Sequence, residues 1–204
     1  MAPGSSGLAG LRQAGLVQLH RSDADGRGCY YGVKLTALGA LYRQIGASLT
    51  IPFAFNPAEL PTRTVVFLCR ANSARSQMAE GWLRTLTGGR ITVRSGGTQP
   101  TQLHPRAAQV MAEVGVDIGH QQSKHIETLA SLAPDVIVTV CDIAREACTL
   151  WPELVDRLHW SIPDPVVVAD AEAQLGAFRM VRDELRLRTE GLIGLLRNVT
   201  LCGG

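Results

Sequence analysis

From residue 64 onward the chain alternates between two hydrophobic rhythms. Thr64–Leu68 (Thr-Val-Val-Phe-Leu) and Asp135–Val140 (Asp-Val-Ile-Val-Thr-Val) are short, continuous, β-branched runs suited to strands buried on both faces of a parallel sheet. Ile91–Ser95, ended by Gly96-Gly97, and Leu158–Ile162 read as two further strands. Between them the apolar period lengthens to that of a helix over Ser76–Thr87 and over His104–Gly115, where Ala107, Val110, Met111 and Val114 share a face. A long amphipathic helix, Gly176–Val199, closes the chain with leucines at 185, 187, 192, 195 and 196. Strands alternating with helices predict an α/β fold: a four-stranded parallel sheet flanked by helices. Such sheets bind ligands beyond the carboxyl ends of their strands. Cys69, Cys141 and Asp164 all fall at or just past such ends, which predicts one shared mouth.

Residues 1–50 follow a different pattern. Gly7–Gly15 predicts a short helix, Leu16–Leu19 and Cys29–Val33 a hairpin across the polar turn Arg21–Gly28, and Thr36–Leu49 a second helix. Residues 51–63, with Pro52, Pro57 and Pro61, read as a linker to a domain spanning 64–204. Composition narrows the class. With 46% hydrophobic and 19% charged residues, a chain of 204 residues suits one soluble domain with an appendage. A net charge of +2 gives no argument for nucleic acid or an anionic membrane, and no apolar run is long enough to span a bilayer. Met1–Ser6 lacks the basic start and apolar core of a secretory signal, so a cytoplasmic location with reduced thiols is expected. Five cysteines at irregular spacing argue against a disulfide framework.

The chemistry concentrates where the first strand of this domain meets its helix. Cys69 closes the strand, Arg70-Ala71-Asn72-Ser73-Ala74 forms a short loop, and Arg75-Ser76 opens the helix. A loop wrapped over a helix N-terminus turns backbone N–H groups inward to hold a tetrahedral oxyanion, and the same positive field favours a thiolate. The alternative is a buried strand-end thiol with no chemical role. Cys141 and Cys148 follow the strongest strand and read either as unrelated thiols or as a redox relay, in which a second thiol attacks the first and a third resolves the second. A zinc site would need two more ligands at suitable spacing, and no metal is expected. Asp164, held between Pro163 and Pro165, suits a general acid on a rigid loop, or a plain turn aspartate. His159 reads as structural, His104, His120 and His125 have no metal-binding spacing, and Cys29 and Cys202 lack chemical context.

Taken together these pieces resemble the low-molecular-weight protein tyrosine phosphatase superfamily. The segment Cys69–Glu80 is similar to its phosphate loop. Ser95-Gly96-Gly97-Thr98, Thr139-Val140-Cys141-Asp142, Cys148 and the stretch His159-Trp160 to Asp164-Pro165 resemble the thioredoxin-coupled arsenate reductase branch. The resemblance covers about residues 63–200. It implies that Cys69 attacks arsenate and that Arg75 and the amides of Arg70, Ala71, Asn72, Ser73, Ala74 and Ser76 clamp the oxyanion. It further implies that Asn72 holds the loop's unusual backbone, Ser76 stabilises the thiolate, and Asp164 protonates the departing oxygen. Cys141 would then attack Cys69 to release arsenite, and Cys148 would resolve that disulfide for an external reductant, thioredoxin or a small thiol, with no bound cofactor. Departures from the pattern are Arg70-Ala71 in place of Thr-Gly, Ala74 in place of a cysteine, and Val166 in place of the phosphatases' tyrosine.

Upstream, Leu11–Val17 and Cys29–Val33 resemble the recognition helix end and the wing strand of an arsenic-responsive winged-helix repressor, in its second half only. Half a module lacks the helices that position a reading helix on DNA, so no specific DNA binding is expected; a helical extension that packs or dimerises is the other reading. Three functions therefore stand: arsenate reduction by a cysteine relay, hydrolysis of tyrosine phosphate or small phosphate esters by Cys69, Arg75 and Asp164, and an arsenic-linked DNA-binding regulator.

Overall fold

The computed structural model describes residues 5–21, 29–34, 37, 60–147, 150–152 and 155–198. The chain divides into two units, Met1–Phe55 and Asn56–Gly204. In the first, helix α1 (Ser5–Gln13) runs into Gly15, whose φ of 69° turns the chain as a helix-ending glycine does. Strands β1 (Val17–Arg21) and β2 (Cys29–Val33) then pair antiparallel, with Val17 opposite Val33 and Leu19 opposite Tyr31. The expected second helix, Thr36–Leu49, lies outside the described residues except for Ala37, as does most of the 51–63 linker.

The second unit is built on a sheet of four parallel strands in the order β4-β3-β5-β6. Central β3 (Thr64–Cys69) carries Val65, Val66, Phe67 and Leu68, all essentially without solvent contact, which explains the unbroken apolar run. Its neighbours are β4 (Thr92–Gly97) and β5 (Val136–Thr139), and β6 (Asp156–His159) forms the far edge. Helices α2 (Arg75–Leu86), α3 (Pro105–Ala112), α4 (Asp142–Ala147) and α5 (Ala171–Asn198) make the connections and cover the sheet. Two 3-10 turns, Ile126–Leu129 and Pro165–Val167, complete the unit. Trp82 of α2 ties the longest helix down by donating its indole N–H to the Arg182 carbonyl of α5 at 3.0 Å. Among the described residues no helix is long and apolar enough to cross a membrane.

Some expected boundaries move. The edge strand expected at Leu158–Ile162 sits two residues earlier: Asp156 pairs with Val136 and His159 with Thr139, and the last ladder bond is Trp160 N–H to Thr139 O at 2.8 Å. Ile162 then leaves the ladder, and Pro163 has no N–H to extend it. The closing helix starts at Ala171 rather than Gly176, because Asp170 caps it by accepting from Glu172 N at 3.1 Å and Ala173 N at 2.7 Å. His104 lies just outside α3 and caps it, its Nδ1 accepting from Arg106 N at 3.2 Å.

Candidate active site

The parallel register brings the strand ends level. Cys69 pairs with Gly97, Leu68 with Thr139, and Thr139 with His159, so the loops leaving these strands all open on the same edge. The loop from Cys69 to Arg75 is sewn down from outside by its carbonyls. Cys69 O accepts from Thr98 N at 3.3 Å, Arg70 O from Gln99 N at 2.8 Å, Ala71 O from Thr101 N at 3.0 Å, and Ser73 O from His104 N at 2.9 Å. The Asn72 carbonyl accepts from Gln77 Nε2 and Ser123 Oγ. Peptide planes here are trans, so each carbonyl directed outward sets the next N–H in the opposite direction. The amides of residues 71 to 74 therefore face into the loop, as an anion nest requires. Asn72 N shows the direction by donating to Cys69 Sγ at 3.1 Å.

Asn72 has a φ of 44°, the left-handed region that asparagine tolerates better than most residues. Every polar atom of its amide is engaged. Nδ2 donates to Ser76 Oγ at 2.9 Å and Ser95 Oγ at 2.8 Å, while Oδ1 accepts from Lys124 N at 2.9 Å and from Gln77 Nε2 at 3.3 Å. Ser95 passes its own hydrogen to Glu80 Oε2 at 2.6 Å, and buried Glu80 is ion-paired to Arg84. Ser76 Oγ accepts from Asn72 and lies 2.9 Å from Cys69 Sγ, where either atom can donate. Together with the Asn72 N–H it gives the sulfur two polar partners.

Arg75 spans the pocket floor. Its Nη1 donates to Ile162 O at 2.8 Å and its Nη2 to Asp164 Oδ2 at 2.6 Å, drawing the Asp164 loop to the phosphate-type loop across 89 positions of sequence. The second oxygen of Asp164 accepts from Val166 N at 3.1 Å. Cys69, Arg70, Arg75, Gln99 and Asp164 line a cavity of about 420 Å³. Gly97 packs against the backbone of this loop: a Cβ there would stand 2.6 Å from Arg70 O and 2.8 Å from Asn72 N. Gly97→Ala is expected to push the loop off its geometry, with about 1–3 kcal/mol lost in urea denaturation and turnover reduced at least about tenfold.

Cys141 lies buried just past β5, beside this loop. The Ala144 N–H approaches its sulfur at 3.4 Å, and the Arg70 N–H also reaches it. Burial pushes the Cys141 thiol up to about 11; the Arg75 charge pulls it down, and a negative Cys69 pushes it further up. Cys69 and Cys141 are both free thiols. Cys148 lies outside the described residues and comes directly after α4 in sequence. Among the described residues, His, Cys, Asp and Glu nowhere gather in the groups of three or more that hold a metal ion.

One pair was not expected from sequence. His159 Nε2 contacts buried Asp142 Oδ1 at 3.0 Å, and its Nδ1 contacts Thr139 Oγ1 at 2.8 Å. Burial lowers the His159 pKa against the opposing pull of Asp142. The dyad fastens the first residue of α4 to the edge strand and so fixes the backbone that carries Cys141. Asp142 and His159 are 17 residues apart, and only the β5–β6 register reveals the contact.

Residues 64–200 match the low molecular weight phosphotyrosine protein phosphatase family. The chain belongs to that family. The arsenate reductase of Bacillus subtilis is 39% identical over 127 residues, covering 62% of this chain and 91% of that protein. A solved structure of an arsenate reductase in the phosphate binding state is 36% identical, with a TM-score of 0.57 over 66% of this chain and 99% of that one. An arsenate reductase in the oxidized state gives a TM-score of 0.59 at 35% identity over the same shares. These relatives point to the arsenate-reducing members of the family.

Proposed function

We propose that this chain reduces arsenate to arsenite by a cysteine relay. The observation that supports the relay most directly is a second free, buried thiol, Cys141, beside the oxyanion loop, which phosphate-ester hydrolysis does not need. In the first step the Cys69 thiolate attacks arsenic(V), one arsenate oxygen leaves as water with a proton from Asp164, and a sulfur–arsenic bond forms. Arg75 and the loop amides hold the remaining oxygens; the entering oxyanion takes the guanidinium from Asp164, whose freed carboxylate takes up a proton from solvent and passes it to the departing oxygen. In the second step Cys141, as thiolate, attacks Cys69 Sγ. The sulfur–arsenic electron pair passes to arsenic, which leaves as arsenic(III) in arsenite. Cys148 then attacks Cys141, freeing Cys69, and an external dithiol of the thioredoxin type or a small thiol reduces the Cys141–Cys148 disulfide.

A negative Cys69 opposes ionisation of Cys141, and the Arg75 charge favours it. A reductant-coupled cycle of this kind belongs in a reducing compartment such as the cytoplasm. The test is arsenite release with a thioredoxin system, run beside para-nitrophenyl phosphate hydrolysis. Wild type should release arsenite catalytically, and Cys148→Ser should form a Cys69–Cys141 disulfide and stop near one equivalent. Rapid ester hydrolysis with no arsenite would make the chain a phosphatase.

A further inference from the structure

Four ionisable groups line the cavity. Arg75 and Asp164 neutralise one another at 2.6 Å, and a Cys69 thiolate adds one negative charge. A mouth holding only these three would be net negative toward arsenate, itself a dianion near neutral pH. His104 feels Asp164 through the field, but it does not line the cavity.

The fourth group is Arg70, which lines the cavity at its exposed entrance and is held in place. Its Nε donates to Gln99 Oε1 at 2.9 Å, while its carbonyl accepts from Gln99 N at 2.8 Å. The two residues are thus joined by side chain and backbone, and Gln99 lines the same cavity. A neutral amide partner fixes the guanidinium without cancelling its charge, as a carboxylate at 99 would.

We propose that Arg70 is a specificity-determining residue: its side chain, pinned by Gln99, is the capture cation that brings the mouth to neutrality and draws in dianionic tetrahedral oxyanions, arsenate and phosphate alike. This role rests on the reductase reading of the site and concerns binding alone. The Arg70 guanidinium stands at the entrance, whereas the reacting oxygens are held by Arg75 and the loop amides. It acts through the field, so its effect is screened by salt.

Binding is measured without turnover, as protection of Cys69 from iodoacetamide by inorganic arsenate or phosphate, using the full chain with its other cysteines present and Cys69 labelling read by peptide mass. At low salt Arg70→Gln should raise the protecting concentration of both anions about five- to tenfold, the effect of one partly screened charge, and this gap should shrink by about half or more at 0.5 M salt. Arg70→Lys should recover most of the loss, and Gln99→Glu should imitate Arg70→Gln by neutralising the guanidinium. In steady state, Arg70→Gln should raise KM for arsenate with kcat within about twofold. Protection unchanged in Arg70→Gln, or a loss equally large in Arg70→Lys and insensitive to salt, would overturn the proposal. If wild type binds both anions but releases no arsenite, the reductase reading fails while the Arg70 result still stands or falls by protection.

Discussion

Replacing Cys141 with serine is expected to lower steady-state arsenite release by on the order of a thousandfold or more, because a serine hydroxyl cannot accept the sulfur–sulfur bond that expels arsenic(III). The variant should still consume one equivalent of arsenate per chain and stall with arsenic on Cys69, visible as a mass adduct. Cys141 and serine differ by one atom, and Cys141 is buried with only weak N–H contacts to its sulfur, so the fold should survive. Catalytic arsenite release by Cys141→Ser would remove this thiol from the mechanism.

The same residue sets a pH dependence on wild type. With the thiol pushed up to about 11 by burial, the reactive thiolate is the minor species at neutral pH. Raising pH increases that species, so the rate of Cys69–Cys141 disulfide formation in a single turnover should climb with pH from 7 to 9. The climb approaches tenfold per unit while pH stays well below the pKa of the thiol. A flat profile measured by rapid quench would mean that this proton does not limit the step.

The loop was legible because its determinants are contiguous: the apolar run of β3, the short and mostly small stretch 70–74 and the first turn of α2 succeed one another in sequence. The parallel sheet was legible because buried strands must be apolar on both faces. What sequence did not reveal is what holds these parts to each other. The contacts of Asn72 with Ser95 and Lys124 span 23 and 52 positions, and Arg75 reaches Asp164 across 89. These bonds depend on strand order and register, which no local pattern contains. Helix α4 was also missed, since six residues, Asp142–Ala147, are too few to establish a period. Arg70 could be seen as an added charge near the loop, but its restraint by Gln99 depends on the path of the chain after β4.

Asn72→Ala tests that long-range scaffold, and a loss of about a hundredfold in arsenate kcat/KM is expected from misplacement of the nest and of Ser76. Two separate costs contribute. Alanine must hold a φ of 44°, which costs about 1 kcal/mol or more. It also strips partners from the buried Ser76 and Ser95 hydroxyls and from the Lys124 N–H, adding about 1–3 kcal/mol for each group left unsatisfied. Asn72→Gly separates them, because glycine adopts the left-handed backbone freely but supplies no amide. If the hydrogen bonds dominate, glycine and alanine should be similarly impaired in iodoacetamide labelling of Cys69 at pH 7 and in arsenate turnover. If the backbone dominates, glycine should recover most of the activity. The number of bonds favours the first outcome: Nδ2 alone joins the helix that carries Ser76 to the strand that carries Ser95. Through Ser95 it reaches the buried Glu80 carboxylate, so the orientation of one amide sets the hydroxyl that faces the nucleophile.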